Sequence, residues 1–168
     1  IRHLVLVEPT VYGQDPFPIV FPRVTAEHDV VFAPHNYGDS ITSIPVEGLF
    51  DYARILKKAG KRVFIGTSGD RLGRHVDTIL DVGLDVVTLS IEGATAEAHD
   101  AFRKRVGLFS RVVDAVDALV ARRGDGGPKI QVRCTINRHN FREVDRVIDF
   151  WSDHADNVLV QVVQNNCL

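Results

Sequence analysis

Between Lys61 and Arg103 the chain twice repeats one pattern: a short apolar run, a small polar loop containing glycine, then residues at helical spacing. The first run is Arg62-Val-Phe-Ile-Gly66, ending in Thr67-Ser68-Gly69. The second is Asp85-Val-Val-Thr-Leu-Ser90-Ile-Glu92-Gly93, with His99-Asp100-Ala-Phe-Arg103 following it. Short runs of Val, Ile, Leu and Phe with no polar alternation read as strands covered on both faces, the habit of parallel sheets. Parallel strands deliver their loops to one carboxyl edge, where folds of this type bind ligands.

The alternation continues in both directions. Leu49 to Ala59 predicts a helix with Phe50, Ala53, Leu56 and Ala59 on one face and Gly60 where a left-handed cap belongs. A second helix is expected from about Arg74 to Val82, and a short helical turn from Thr95 to Arg103. Phe109, Val112, Val116 and Leu119 then keep helical spacing up to the Gly124-Asp-Gly-Gly-Pro128 turn. Ile130 to Ile136 alternates as a strand, and Asn140 with Glu143 has the spacing of a capping box before a helix carrying Val144, Val147, Ile148 and Trp151. Asn157 to Val163 reads as the last strand. Upstream, Leu4 to Val7 and Asp29 to Ala33 read as two further strands, separated by a proline-broken stretch that excludes a long helix. Ser40 to Pro45 reads as a loop. The order β-β-α-β-α-β-α-β-α-β predicts one α/β domain over residues 1–168. The expected form is a TIM-like partial or six-stranded (βα) barrel with a parallel sheet and outer helices.

Composition narrows the functions. The 168 residues carry a formal net charge of -2, so there is no basic field for nucleic acid, and no apolar run is long enough to span a bilayer. Two cysteines, Cys134 and Cys167, make no disulfide framework, and a cytoplasmic compartment is the expectation. The start at Ile1, inside a strand-like run with no leader before it, reads as a segment cut from something longer.

With these residues in view, Phe50 to Val163 resembles the core barrel of radical SAM enzymes, of the kind related to cofactor-maturation and peptide-modifying members. Lys57-Lys-Ala-Gly60 and the strand into Thr67-Ser68-Gly69 are similar to that family's strand into Thr-Asn-Gly. Gly83-Leu-Asp85 through Ser90-Ile-Glu92-Gly93 is similar to its strand into Ser-Leu-Asp-Gly, and His99-Asp100 with Arg103 to the His-Asp-x-x-Arg that follows. The resemblance implies S-adenosylmethionine (AdoMet) as a small-molecule ligand, with Thr67 and Ser68 near the adenosyl group. It also implies Ser90, Glu92 and Asn137 at the ligand, and Arg103 forked onto the methionine carboxylate. On the residues alone, Thr67 and Ser90 equally suit turn or capping roles, and Arg103 an ion pair with Asp100 or Glu97. The family also implies a 4Fe-4S cluster, held by a Cys-x3-Cys-x2-Cys loop, and a Gly-Gly-Glu-Pro segment. The sequence has neither, and its two cysteines cannot supply three thiolates, so no metal site is expected.

Residues 1 to about 42 resemble a different barrel. Leu4-Val-Leu-Val-Glu8-Pro9 and Asp29-Val-Val-Phe-Ala-Pro34-His35-Asn36-Tyr37 look like two strands of a retaining glycosidase closest to endoglycoceramidases. That resemblance implies His35 and Tyr37 at a sugar site. Glu8 and Glu92 are the candidate carboxyl pair, which a retaining mechanism needs at roughly 5 Å. Together the two resemblances describe a chimera joined near residues 40–45, with a glycosidase-like strand pair over 1–45 and radical-SAM-like units over 46–168. A degenerate natural paralogue is the other origin. Three functions remain open: a catalytically inactive radical-SAM-type barrel that still binds AdoMet weakly, a glycoside hydrolase, and a ligand-free scaffold. If the barrel stays open, the edge of the first strand favours self-association.

Overall fold

The runs of β-branched residues become six strands in a computed structural model of the chain, which describes residues 5–7, 30–32, 39–41 and 46–162. They are β1 (Val5–Val7), β2 (Val30–Phe32), β3 (Arg62–Thr67), β4 (Val86–Ser90), β5 (Lys129–Ile136) and β6 (Asn157–Val162). All pair in parallel, in the order of the sequence from β1 to β6. Parallel neighbours need crossover connections, and between β2 and β6 helices supply them. Helix α1 (Val46–Lys58) precedes β3, α2 (Val76–Val82) precedes β4, α3 (Ala96–Arg103) and α4 (Leu108–Arg122) precede β5, and α5 (Val144–Ser152) precedes β6. This is the expected α/β architecture, a partial TIM-like barrel. Among the described residues β6 pairs with β5 and with no other strand.

Side-chain alternation splits the sheet into two faces. Val63, Ile65, Val87, Leu89, Ile130, Val132 and Cys134 are buried against the helices, which present Leu56 from α1, Ile79 from α2, Val112, Val116 and Leu119 from α4 and Trp151 from α5. Strand partners share a face. Thr88 therefore sits opposite Gln131, and Ser90 opposite Arg133, which is itself opposite Leu159. These residues line the inner face, where the Thr88 hydroxyl meets Gln131 Oε1 at 3.2 Å and Gln161 donates to Thr135 Oγ1 at 3.1 Å. Thr67 pairs with Leu89 and so belongs to the helix side, 3% exposed.

Element ends differ from expectation where side chains prefer the backbone of another loop. Asn140 does not cap a helix: its amide donates to the carbonyls of Glu92 (3.3 Å) and Thr135 (3.0 Å), and its oxygen accepts from Asn137 N–H (2.8 Å). The capping box is therefore not formed. A 3-10 turn, Phe141–Glu143, leads into α5 instead. Likewise the second helix begins with a 3-10 turn, Leu72–His75, before α2.

The amino edge of the sheet is stitched twice in the same way. Asp85 N–H donates to Val63 O (2.9 Å) while Val63 N–H donates to Asp85 Oδ2 (2.7 Å), and Lys57 closes the carboxylate at 2.6 Å. Asp156 N–H donates to Ile130 O (2.9 Å), Ile130 N–H donates to Asp156 Oδ2 (2.8 Å), and Arg123 and Lys129 close that one. Burial pushes the Asp156 carboxyl up, but the Arg123, Ile130 and Lys129 hydrogen bonds outweigh it and hold the pKa down to about 2.

Candidate functional site

The carboxyl ends of β3, β4 and β5 form one rim, with Thr67 and Ser90 on adjacent strands of the same direction. Asp39 organises its β3 side. Ser40 N–H donates to Gly66 O (3.0 Å), so the 39–41 segment lies against the end of β3. From there Asp39 accepts from the Thr67 hydroxyl (2.8 Å), Ser68 N–H (2.7 Å), the Ser68 hydroxyl and Ile41 N–H (3.0 Å). Burial works against the charge on Asp39, yet these donors, Ser68 foremost, keep its pKa below the usual carboxylate value. Thr67 also accepts from Gly69 N–H at 3.0 Å, closing the turn. Gly69 has φ +86°, and a Cβ there would stand 2.7 Å from Val112. Only glycine lets the turn lie this close to α4.

The β4 side is built by the His-Asp-x-x-Arg run, each member with a separate task. His99, fully buried, accepts Glu92 N–H on Nδ1 (3.2 Å) and therefore carries its proton on Nε2, which has no partner. Burial first, and the Arg103 charge second, lower its pKa to about 4. Asp100 accepts from Gly107 N–H and from Phe109 N–H (2.8 Å), capping the start of α4. Arg103 forks onto Glu92, Nε to Oε2 at 2.7 Å and an end nitrogen to Oε1 at 2.9 Å, and touches Ser90 O at 3.3 Å. Its partner is thus Glu92, not Asp100 or Glu97. Burial raises the Glu92 pKa, and Arg103 opposes that rise. A Cβ on Gly93 would stand 2.7 Å from Ala98 Cβ and 2.8 Å from His99 N, so glycine is what admits α3 to the loop.

With these contacts assigned, the donors left over are few. Thr67, Ser68, Glu92 and Arg103 are spent on holding loops, whereas the Ser90 hydroxyl makes no hydrogen bond among the described residues. Asn137 accepts from His139 N–H on its side-chain oxygen (2.8 Å), and its NH2 group has no partner there. Sequence reasoning missed Asp39, Asn140 and Arg133. The first two act on backbone far away in sequence. Arg133 was legible as a cation at an inward position of an alternating strand. Glu8, His35, Tyr37 and Cys167 lie outside the described residues.

The donor set of the described residues does not fit an iron-sulfur cluster. Such a cluster takes thiolates, and the described residues offer Cys134 alone, 1% exposed, its thiol pushed up to about 11 by burial and by the Glu92 charge. Among the described residues there is no group of three or more His, Cys, Asp or Glu able to hold a metal ion. No helix among them is long and apolar enough to cross a membrane.

A parallel sheet covered by helices, with its uncommitted polar groups at the carboxyl ends of β4 and β5, defines a partial (βα) barrel. Residues 37–151 match the Radical SAM superfamily, and the chain belongs to that family. The matched span takes in Tyr37 and the Asp39 segment. Over 102 residues the chain is 31% identical to an AdoMet-dependent heme synthase of Methanosarcina barkeri, covering 60% of this chain and 28% of that protein. It is 31% identical over 104 residues to an Fe-coproporphyrin III synthase of the same organism, with 61% and 25% covered. The pre-heme d1 synthase of Dinoroseobacter shibae is 26% identical over 110 residues, with 65% and 26% covered. The chain thus spans about a quarter of the length of these relatives. In structure it is similar to native anSMEcpe with bound AdoMet, at a TM-score of 0.62, 15% identity, and 83% of this chain against 39% of that one. Neither the family match nor these relatives supply a glycosidase counterpart for residues 1–42, and the chimera gains no support from them.

Proposed function

We propose that this chain is a radical-SAM-type barrel segment that binds AdoMet weakly and is catalytically silent on its own. One observation carries the binding: Asp39 locks the Thr67-Ser68-Gly69 turn in place before any ligand arrives, beside the uncommitted Ser90 hydroxyl and Asn137 amide. Preorganised donors cost little ordering on binding. In this reading Thr67 and Ser68 shape the turn against which an adenosyl group rests, and Ser90 and Asn137 donate to the ligand. Arg103, committed to Glu92, positions the β4 loop and leaves the methionine carboxylate to another group. AdoMet supplies an adenosyl radical when a cluster reduces its sulfonium. With two cysteines in 168 residues, that step has no place in these residues alone.

Two measurements test the reading. Titration calorimetry with AdoMet is expected to give a dissociation constant between high micromolar and millimolar, and no heat at millimolar ligand would remove the binding claim. Anaerobic reconstitution with iron and sulfide is expected to leave far less than one cluster per chain; stoichiometric iron would overturn the silent reading. The match to the heme synthases makes a tetrapyrrole the substrate class to examine in any longer protein containing this segment.

A further inference from the structure

Outside the barrel, a cleft of about 740 Å³ lies between the 3-10 turn Leu72–His75 and α4. Its walls carry arginines. Arg71 and Arg74 line it from the turn, and Arg105, Arg111 and Arg122 from α4 and the loop before it. On α4 the spacing 111, 115, 118, 122 puts two of these arginines on one helical face, with Ala115 and Ala118 between them. Across from that face is Gly73, on which a Cβ would stand 3.8 Å from Ala115 Cβ. Side chains this small leave the middle of the cleft unfilled.

The charges are answered unevenly. Asp70 takes Arg111 at 2.8 Å and Arg105 at 3.2 Å, and Asp77 takes Arg122. These arginines are exposed, and such pairs hold weakly. Arg71 and Arg74 make no ion pair and no side-chain hydrogen bond among the described residues. Arg74 N–H donates to Arg71 O at 3.1 Å, so the two stand one 3-10 turn apart, a spacing at which side chains eclipse. Two like charges are thus stacked on one side of the turn, where they repel. Five arginines against two aspartates, Asp70 and Asp114, line the cleft, which is positive on a chain of net charge -2.

An anion settles this arrangement, and the geometry narrows which one. A guanidinium forks onto carboxylate and phosphate oxygens alike. A single carboxylate answers one charge, whereas linked phosphates offer several to arginines on both walls. The volume is that of a small-ligand cleft, about 300–1,000 Å³, and among the described residues no aromatic side chain lines it to stack on a base. We infer that this cleft is an oligophosphate-binding site, in which Arg71 and Arg74 take phosphate oxygens and the arginines of the α4 side close on the ligand from across. Recognition is of the phosphates, whether free or carried on a nucleotide. The site is independent of AdoMet binding at the rim.

Arg71→Gln with Arg74→Gln removes the two uncommitted charges from exposed positions. Lys58→Gln with Arg146→Gln removes the same charge from exposed positions on α1 and α5. Tripolyphosphate, ATP and hexaglutamate are titrated by calorimetry into the wild type and both double variants at one ionic strength. The expected result is one tripolyphosphate per wild-type chain, a tenfold or greater loss in the Arg71 and Arg74 variant, and a change within twofold in the other. Without ligand the melting temperatures should agree within a few degrees, and tripolyphosphate should raise that of the wild type but not that of the Arg71 and Arg74 variant. ATP within threefold of tripolyphosphate assigns the site to phosphates from either source, and much weaker ATP binding assigns it to the free oligophosphate. The inference is overturned if the wild type binds no tripolyphosphate, if the Arg71 and Arg74 variant binds it within twofold of the wild type, or if both double variants weaken alike. ATP more than tenfold tighter than tripolyphosphate would overturn it in favour of a nucleoside pocket. Hexaglutamate tighter than tripolyphosphate, and lost in the same variant, would overturn it in favour of a docking groove for an acidic segment of another protein.

Discussion

The two edges of the sheet use the same acidic side chains in opposite ways. At the amino edge Asp85 and Asp156 each join one strand to the next and are closed by cations from the preceding helix or strand, so both carboxylates are answered within the fold. At the carboxyl edge Asp39 and Glu92 hold loops, and the groups beside them, Ser90, Asn137 and Arg133, are left with bonding capacity to spare. One edge is finished by its own residues, and the other keeps polar groups that its own residues do not satisfy. On the function proposed above, the amino edge serves stability alone, whereas the carboxyl edge serves stability and recognition together, in line with the division that (βα) barrels show in general.

Acid should separate the edges most visibly. His99 belongs to the carboxyl edge and its folded pKa of about 4 lies below the ordinary 6.5. The unfolded chain takes up that proton first, so stability is full above pH 6.5 and falls as the pH drops to 4. The expected loss is roughly 3 kcal/mol over that window. Urea midpoints measured across this range should decline in the wild type and flatten in His99→Asn. Asp156 has its pKa depressed from 3.8 to about 2, so its contribution is present above pH 3.8 and is lost only as the pH falls through 2. A single loss confined below pH 4 would break the comparison.

Asp156→Ala is next in size. It leaves the Ile130 N–H without its acceptor and Arg123 without its counter-charge, the Pro128 carbonyl remaining to Arg123 at 2.7 Å, and is expected to cost about 2–3 kcal/mol in urea unfolding, with AdoMet affinity unchanged in the folded fraction. Asp39→Asn keeps the shape but turns an amide donor toward Ser68. It should cost about 1–2 kcal/mol and also weaken AdoMet severalfold in calorimetry; equal affinity would detach Asp39 from the site. Ser90→Ala sits at the other extreme. Its hydroxyl holds nothing in the fold, so stability should stay within about 0.5 kcal/mol while AdoMet binding weakens. A drop in stability with unaltered binding would move Ser90 to the structural side.

Much of the fold was legible because its signals are local. Runs such as Val63-Phe-Ile and Asp85-Val-Val-Thr-Leu, and glycines such as Gly83 with φ +70° after α2, mark strands and caps without reference to anything distant. The candidate residues were legible as strand-end positions, but their bonds were not. Ser90, Thr67, Glu92 and Arg103 all stand at the rim, yet helical spacing pointed Arg103 at Asp100 or Glu97. The short α3 instead turns it back to Glu92, eleven residues upstream. Asp39 was hidden because its partners are 28 and 29 residues away. The capping box at Asn140 failed for the same reason: the Glu92 carbonyl, 48 residues distant, offered the side chain an alternative. Contacts of this kind are settled by how strands line up in space, and a linear pattern carries no trace of them.

The aspartate stitches at the amino edge bear on how the sheet opens to water. The amides of Val63 and Ile130 lie one residue from the start of their strands, where ladders ordinarily fray and trade their protons with solvent within moments. Each is instead claimed by a carboxylate anchored from the next strand. In a deuterium exchange experiment these two protons should behave like those of strand centres, leaving together with the core rather than ahead of it.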